Sequence, residues 1–446
     1  MKKRIVLSVI LAILLAGGIF LDRLLPVVTG YAAKNLASGV FVAGRSQASL
    51  EKEDLNFSII KYARNRVDLK KKAVTSRFLW KTSKAVYNEG FGCALVDGYS
   101  EDEIKERPYR RVEPFPANPD TIPWPMGDRL KDTVPPGINM PVLQHAVNRI
   151  MADTVPFKGT FALLVVYKGQ PVSEVYRKDF VPGTRFLSWS MAKSFTGTLI
   201  GLRAGEGKLV INQPLNLAEW KNDDRRNITL NNLMHMNSGL AWNEDYGALS
   251  DVTIMLFKEG DMGAYTAGKP LDYRPDSVWS YSSGTSNLVS LVLRRSFASD
   301  ADYYAYPREA LFNKIGMRSA VFEVDASGTF TGSSYLYATM RDYARYALLY
   351  MNGGKWMGRQ VLPEGWVKYT TTPAKGSDGK YGAFFWLNLS GDQPDAPKDT
   401  YMCKGHDGQF IFIIPSKQLI VVRTGFSKHG EFDTNLMLKE ILKSLN

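Results

Sequence analysis

Strand-like sequence in this chain is concentrated in two places that lie far apart. Phe161–Tyr167 and Pro171–Tyr176 are rich in β-branched and aromatic residues and meet at the turn Lys168-Gly169-Gln170. Comparable runs return only at Ala383–Asn388, Thr400–Lys404, Gln409–Ile414 and Gln418–Thr424, the last two flanking Pro415-Ser416-Lys417. Helical patterns dominate the long interval between the two regions. The spacing predicts helices at Pro141–Asp153, Thr339–Tyr350 and Thr434–Leu445, and a mostly helical stretch from Gly207 to about Phe322. A short strand exposes unpaired backbone groups, so isolated strand runs must find each other. The chain is therefore expected to be α+β, with one antiparallel sheet built from two distant segments. Helices would cover its faces, a helical subdomain at about residues 207–322 would sit beside it, and a cleft between the two would take a ligand.

Directly after the first strand pair comes Thr184–Gly207, TRFLSWSMAKSFTGTLIGLRAGEG, centred on Ser190-Met191-Ala192-Lys193. Three residues apart on a helix is one turn on one face, which brings a hydroxyl beside an amine. Ser190 is expected at a helix N-terminus, where free N–H groups and the dipole favour negative charge. The Ser-x-x-Lys pattern alone is weak, because it also occurs at Ser49/Lys52, Ser58/Lys61 and Ser377/Lys380. The strand–helix setting singles out Ser190.

The N-terminus adds a second constraint. Lys2-Lys3-Arg4 precedes the uncharged run Ile5–Leu21. As a helix this run reaches about 26 Å, the lower limit for a bilayer and longer than a usual signal-peptide core. No Cys follows it, and Ala16-Gly17-Gly18 is a poor cleavage site. Residues 1–26 are read as a signal-anchor or signal peptide, with the bulk of the chain exported. Of a net charge of +12, nine charges fall in the first hundred residues. The basic stretch Lys61–Lys84 is expected on a solvated loop or helix face, with anionic lipid as the alternative. No nucleic-acid module is recognisable.

Residues 25–105 show no clear periodicity. Residues 107–141 hold nine of the 22 prolines and read as an extended arm, in which Phe115 and Trp124 pack or help to wall a cleft. Residues 27–140 are taken together as an N-terminal extension, and residues 141–446 as the main domain. The two cysteines, Cys93 and Cys403, and the four histidines, His145, His235, His406 and His429, make no metal pattern, and no cofactor is expected. There is no Gly-x-Ser-x-Gly elbow and no evident Ser-His-Asp set. A serine–lysine system remains, which needs a lysine that is neutral for part of its cycle.

Five ordered segments resemble the serine β-lactamase and penicillin-binding-protein-like hydrolases, in their class C and esterase branch. Within it the chain is most similar to the 6-aminohexanoate-dimer-hydrolase and carboxylesterase types. The segments are SMAKSFTGTLIG, Ile228–Trp242 with its Ser-Gly-Leu, Trp279–Gly284 with Tyr281, Gly332–Arg345, and Gly405-His406-Asp407-Gly408-Gln409. The resemblance implies a β-lactamase/transpeptidase-like fold. It also implies Ser190 as nucleophile, Lys193 as base, and Tyr281 as proton relay. The backbone N–H groups of Ser190 and Gln409 would form the oxyanion hole, and Gly408 would let its strand approach the substrate. Trp242 borders the cleft in the family. Tyr246, Tyr381, Phe385 and Trp386 are further aromatic candidates for its walls, with core packing as the alternative.

Two departures matter. His406 replaces the lysine that opens the third box, and Asp407 adds a carboxyl beside it. Tyr-Ser-Ser replaces Tyr-x-Asn, so a substrate amide contact would have to come from Asn287. Both changes favour esters or linear amides over anionic β-lactams. His406, Asp407, Gly408, Trp242 and Asn287 are thus the expected substrate-binding set. The leading expectation is an exported serine hydrolase of a bacterial envelope, extracytoplasmic and held to the inner membrane by its first helix, acting on a small-molecule ester, amide or peptide. A penicillin-binding D-Ala-D-Ala peptidase or β-lactamase, and a non-catalytic binding protein with the same fold, are the alternatives. Substrate and oligomeric state stay open.

Overall fold

A computed structural model describes residues 2–445. The two distant strand regions do form one sheet. Strands β5 (Thr160–Tyr167) and β6 (Gln170–Tyr176) join β7 (Trp386–Leu387), β8 (Tyr401–Gly405), β9 (Gln409–Ile414) and β10 (Leu419–Gly425) in the order β7-β8-β9-β10-β5-β6. Every pairing is antiparallel; Val421 of β10, for example, lies opposite Val165 of β5. β7 is much shorter than the Ala383–Asn388 run.

Period-two alternation sorts the strand residues onto two faces. Ala162, Leu164, Val166, Ile411, Ile413, Ile420 and Val422 join the main core. Their neighbours Leu163, Val165, Phe410, Phe412, Leu419 and Val421 join a second core. There they meet helix α2 (Met140–Ile150) and helix α7 (Thr434–Leu442). Each fully buried Leu, Ile or Val contributes about 1.5–3 kcal/mol of apolar burial. The main-core face receives helix α3 (Ala192–Gly205), buried from Ala192 to Leu202, and helix α6 (Met340–Met351). Thr339 caps α6 by accepting from the Asp342 N–H. Between them lie α4 (Asp251–Lys258) and α5 (Ser283–Arg295) of the helical region.

The N-terminal region, which shows no clear periodicity, packs as a layer against the rest of the chain. Helix α1 runs unbroken from Lys2 to Phe41. Residues 4–23 are exposed, whereas Leu25, Ala32, Ala33 and Leu36 are fully buried. Pro26 lies at the junction, where it deprives the helix of one backbone hydrogen bond. The buried half packs on a four-stranded antiparallel sheet, β1 (Arg64–Asp68), β2 (Ala73–Phe78), β3 (Lys81–Asn88) and β4 (Gly92–Leu95), and on α4. The basic Lys61–Lys84 stretch therefore lies largely on strands and their turns, not on a loop or helix face. Charged residues on the exposed face of the small sheet masked its alternation.

The arm at residues 107–141 carries only one short 3₁₀ turn, Pro119–Thr121, among its extended backbone. Trp124 is packing: its indole donates to Gly169 O at 2.7 Å, and the Arg345 guanidinium lies 4.8 Å from its ring. Phe115 is half-exposed. Cys93 and Cys403 are both buried and unbonded.

Candidate active site

The serine–lysine pair is set where the sheet meets α3. Ser190 occupies a single 3₁₀ turn, Trp189–Met191, that runs directly into α3. The turn is held by Ser188, whose hydroxyl donates to Trp189 O and Ser334 O and accepts from Leu336 N–H. Trp189 takes φ +46, a strained value for a bulky residue, and so aims the next side chain. Across the turn lies the end of β8. A Cβ on Gly405 would fall 2.3 Å from Ser188 O. Only glycine lets strand and turn approach this closely.

Lys193, one helical turn on, is fully buried. Its Nζ donates to Ser190 Oγ at 2.9 Å, to Ser283 Oγ at 2.9 Å and to Ser333 O at 3.1 Å. Among the described residues it has no ion-pair partner. Burial lowers the ammonium to about 8, with Glu244 pulling the other way. Tyr281 precedes Ser282, the N-cap of α5, whose hydroxyl accepts from Thr285 N–H. The Tyr281 ring lies 4.8 Å from Lys193 Nζ and packs against Tyr381 and Trp386. Burial raises its phenol far above the usual tyrosine range, and the Ser190 hydroxyl opposes that shift. Ser190, Lys193 and Tyr281 thus stand together.

Sequence reasoning passed over two residues here. Glu244 sits at the N-terminus of α5, where its carboxylate accepts from Ser283 N–H at 2.8 Å, from Ser283 Oγ and from the Trp242 indole. Ser283 therefore links Glu244 to Lys193. Ser283 is the third residue of the Tyr-Ser-Ser box, so its position carried a signal, whereas Glu244 lies in a loop without a motif. Trp242 covers the start of α5: a Cβ on Gly284 would meet its ring at 2.4 Å.

The third box lies on the opposite side. Gln409 opens β9 and is buried; its side-chain amide is engaged by both backbone groups of Gly425. The His406 ring stacks on Tyr246 at 4.5 Å and meets Trp189 edge-on at 5.4 Å. Desolvation lowers its imidazole to about 4. Its Nε2 is 3.2 Å from Asp407 Oδ1. Asp407, at φ +57, is pushed up to about 7 by burial and by Asp54, against the pull of Arg423.

Two residues of the expected substrate set point elsewhere. Asn287 is buried, with its amide paired to Ser333 at both ends. It braces the Ser333 carbonyl that Lys193 uses. Gly408 has φ +90, and the group that a Cβ would strike is the Arg423 guanidinium, at 2.0 Å. The close approach it permits is to Arg423, whose Nη1 donates to Gly408 O. Tyr381 and Phe385 are core residues, and Trp386 is part-buried at the sheet edge. No cluster of His, Cys, Asp or Glu able to hold a metal occurs among the described residues.

The sequence profile of the family described as Beta-lactamase matches residues 157–443. A 6-aminohexanoate-dimer hydrolase of Paenarthrobacter ureafaciens is 25% identical over 222 residues, which is 47% of this chain and 56% of that protein. The match therefore spans little more than half of that relative. A provisionally named 6-aminohexanoate-dimer hydrolase from Bacillus anthracis superposes with a TM-score of 0.56 at 21% identity, covering 72% of this chain and 85% of its own. A family VIII carboxylesterase superposes with a TM-score of 0.53 at 15% identity, covering 69% and 98%.

Proposed function

The chain belongs to the beta-lactamase family, and on that premise we propose that it is a serine hydrolase acting on esters or linear amides through an acyl-enzyme on Ser190. The observation that carries this reading is the 2.9 Å contact between Lys193 Nζ and Ser190 Oγ, made by a lysine that burial has lowered to about 8. In its neutral form Lys193 takes the proton as Ser190 Oγ attacks the substrate carbonyl. The N–H groups of Ser190 and Gln409 receive the developing oxyanion, a role worth about 2.7–4 kcal/mol per donor. Tyr281 passes a proton to the leaving alcohol or amine. Water then attacks the acyl group, the same groups return a proton to Ser190 Oγ, and the acid is released.

The third-box strand supports esters and amides over β-lactams. The neutral His406 imidazole and the Asp407 carboxyl replace a fixed cation there, so an anionic substrate gains nothing at that point. The same reading places the protein at a membrane. Helix α1 is long and apolar enough to cross one, and the exposed run Ile5–Leu21 continues without a break into the folded body. It is read as a signal-anchor, with the domain on the extracytoplasmic side.

The test is intact mass spectrometry of the full chain in detergent micelles with a fluorophosphonate, an activated ester and a penicillin in parallel. An adduct from the fluorophosphonate and the ester, lost in Ser190→Ala, is the expected result. An adduct that survives in Ser190→Ala overturns the assignment. Labelling by penicillin alone transfers the site to a penicillin-recognising peptidase or lactamase, and no adduct from any probe returns it to a binding protein.

A further inference from the structure

Beside the site lies a cavity of about 750 Å³, within the range of small-molecule pockets. Its outer wall is Leu24, Val27, Val28 and Tyr31 of α1, with Phe57 and Ile60 facing them. Its inner end is Tyr246 and His406. These two rings stack on one another, and His406 stands 5.4 Å from Trp189, the residue before the nucleophile. The cavity thus runs from α1 to His406 and Asp407, one ring away from the turn that carries Ser190.

The position of its outer wall along α1 is the informative point. The exposed apolar run ends at Leu21, and Leu24 is only three residues on, about 4.5 Å along a helix. The level at which the body meets that run is fixed by the β2–β3 hairpin. Trp80 Nε1 donates to Asp22 Oδ1 at 3.0 Å, and Lys81 Nζ pairs with Asp22 at 2.8 Å. Leu79 and Trp80 at the hairpin tip are themselves more than half exposed. Exposed tryptophan and leucine beside the end of an apolar span are what a bilayer interface accommodates. Exposed Arg64 and Arg77, paired across β1 and β2 next to that hairpin tip, suit an anionic surface.

We infer that the substrate of this site is a membrane-resident amphiphile whose acyl chain enters the cavity between α1 and Tyr246, with its ester or amide carbonyl at Ser190. The inference rests on the hydrolase and anchor readings above and narrows their substrate class. Because α1 continues without a break into the cavity wall, the cavity lies close to the lipid surface. A chain passes from bilayer to cavity without crossing water, so its apolar area stays covered throughout.

Full-length protein is reconstituted in vesicles of phosphatidylethanolamine and phosphatidylglycerol that contain a phospholipid with a diazirine on its acyl chain close to the ester carbonyl. After irradiation, adducts are mapped by peptide mass spectrometry. Adducts on Tyr246–Phe257 and on the peptide bearing His406 are expected. Ala248→Trp, at the exposed lip of the cavity, lowers them by about tenfold, the equivalent of roughly two buried methylenes. Adducts confined to residues 5–23 and to Leu79–Trp80 overturn the inference, since they report the anchor alone. In parallel, kcat/KM for p-nitrophenyl esters rises about fourfold per added methylene until the cavity is filled; a flat profile also overturns it. Cavity adducts without turnover of any ester defeat the hydrolase reading and leave chain binding standing, so the two failures are distinct.

Discussion

Lys34 Nζ meets Glu323 Oε2 at 2.5 Å, with both side chains sealed from solvent although they stand 289 positions apart in the chain. Glu323 also accepts from Ser38 and from the Cys93 N–H, and Lys34 donates to Cys93 O. One buried cluster thus ties α1 and β4 to the catalytic body. Removing one partner of a buried pair leaves an uncompensated charge. Lys34→Met is expected to lose about 3–5 kcal/mol of stability in chemical denaturation. Lys34→Met with Glu323→Leu should recover part of that loss. Equal stability of the single variant and the wild type would show that the layer is not fastened here.

On the proposed mechanism, Lys193 sets the acid limb of activity. Burial holds it at about 8, below the ordinary lysine value, so its neutral form gains as pH rises through that point. For an activated ester, kcat/KM is expected to climb about tenfold per pH unit below the limb and to level above it. The Glu244 carboxylate raises the Lys193 value, so Glu244→Gln should move the limb to lower pH. A limb that moves upward contradicts the arrangement Glu244–Ser283–Lys193.

Gly405 needs no special backbone conformation, since its φ is −120. Only space requires glycine there, because a Cβ would lie 2.3 Å from Ser188 O and 3.1 Å from Trp189 Cβ. Gly405→Ala should push β8 away from the nucleophile turn. The expected cost is about 1–3 kcal/mol of stability and about a hundredfold in turnover, the effect of displacing a reacting group by ~1 Å. Urea denaturation and ester hydrolysis on the same preparation separate the two.

Asp407 is protonated in the folded protein up to about pH 7, whereas in the unfolded chain it ionises near the ordinary aspartate value. Its contribution to stability is therefore full below the unfolded value and is lost as pH rises through the folded one. Asp407→Asn keeps the left-handed backbone that asparagine tolerates. It should raise the melting temperature above neutral pH and leave it nearly unchanged at about pH 3.5, below the unfolded value. Thermal scans at the two pH values measure this directly.

What the sequence determined about this protein is what short-range periodicity can carry. The strands pair as their alternation requires, because one face must be buried on each side. Ser190 and Lys193 meet because three residues make one helical turn, whatever the rest of the chain does. The apolar N-terminal run is legible for the same reason. Tertiary structure alone decided the rest. Glu244 reaches Ser283 across 39 residues, and nothing in its loop marks it. Asn287 and Gly408 carry the right residue types, yet packing turns them to Ser333 and Arg423. The buried half of α1 has no amphipathic stripe, since the small sheet and α4 cover it from several sides. A contact between distant segments depends on how layers stack, and stacking leaves no period in the sequence.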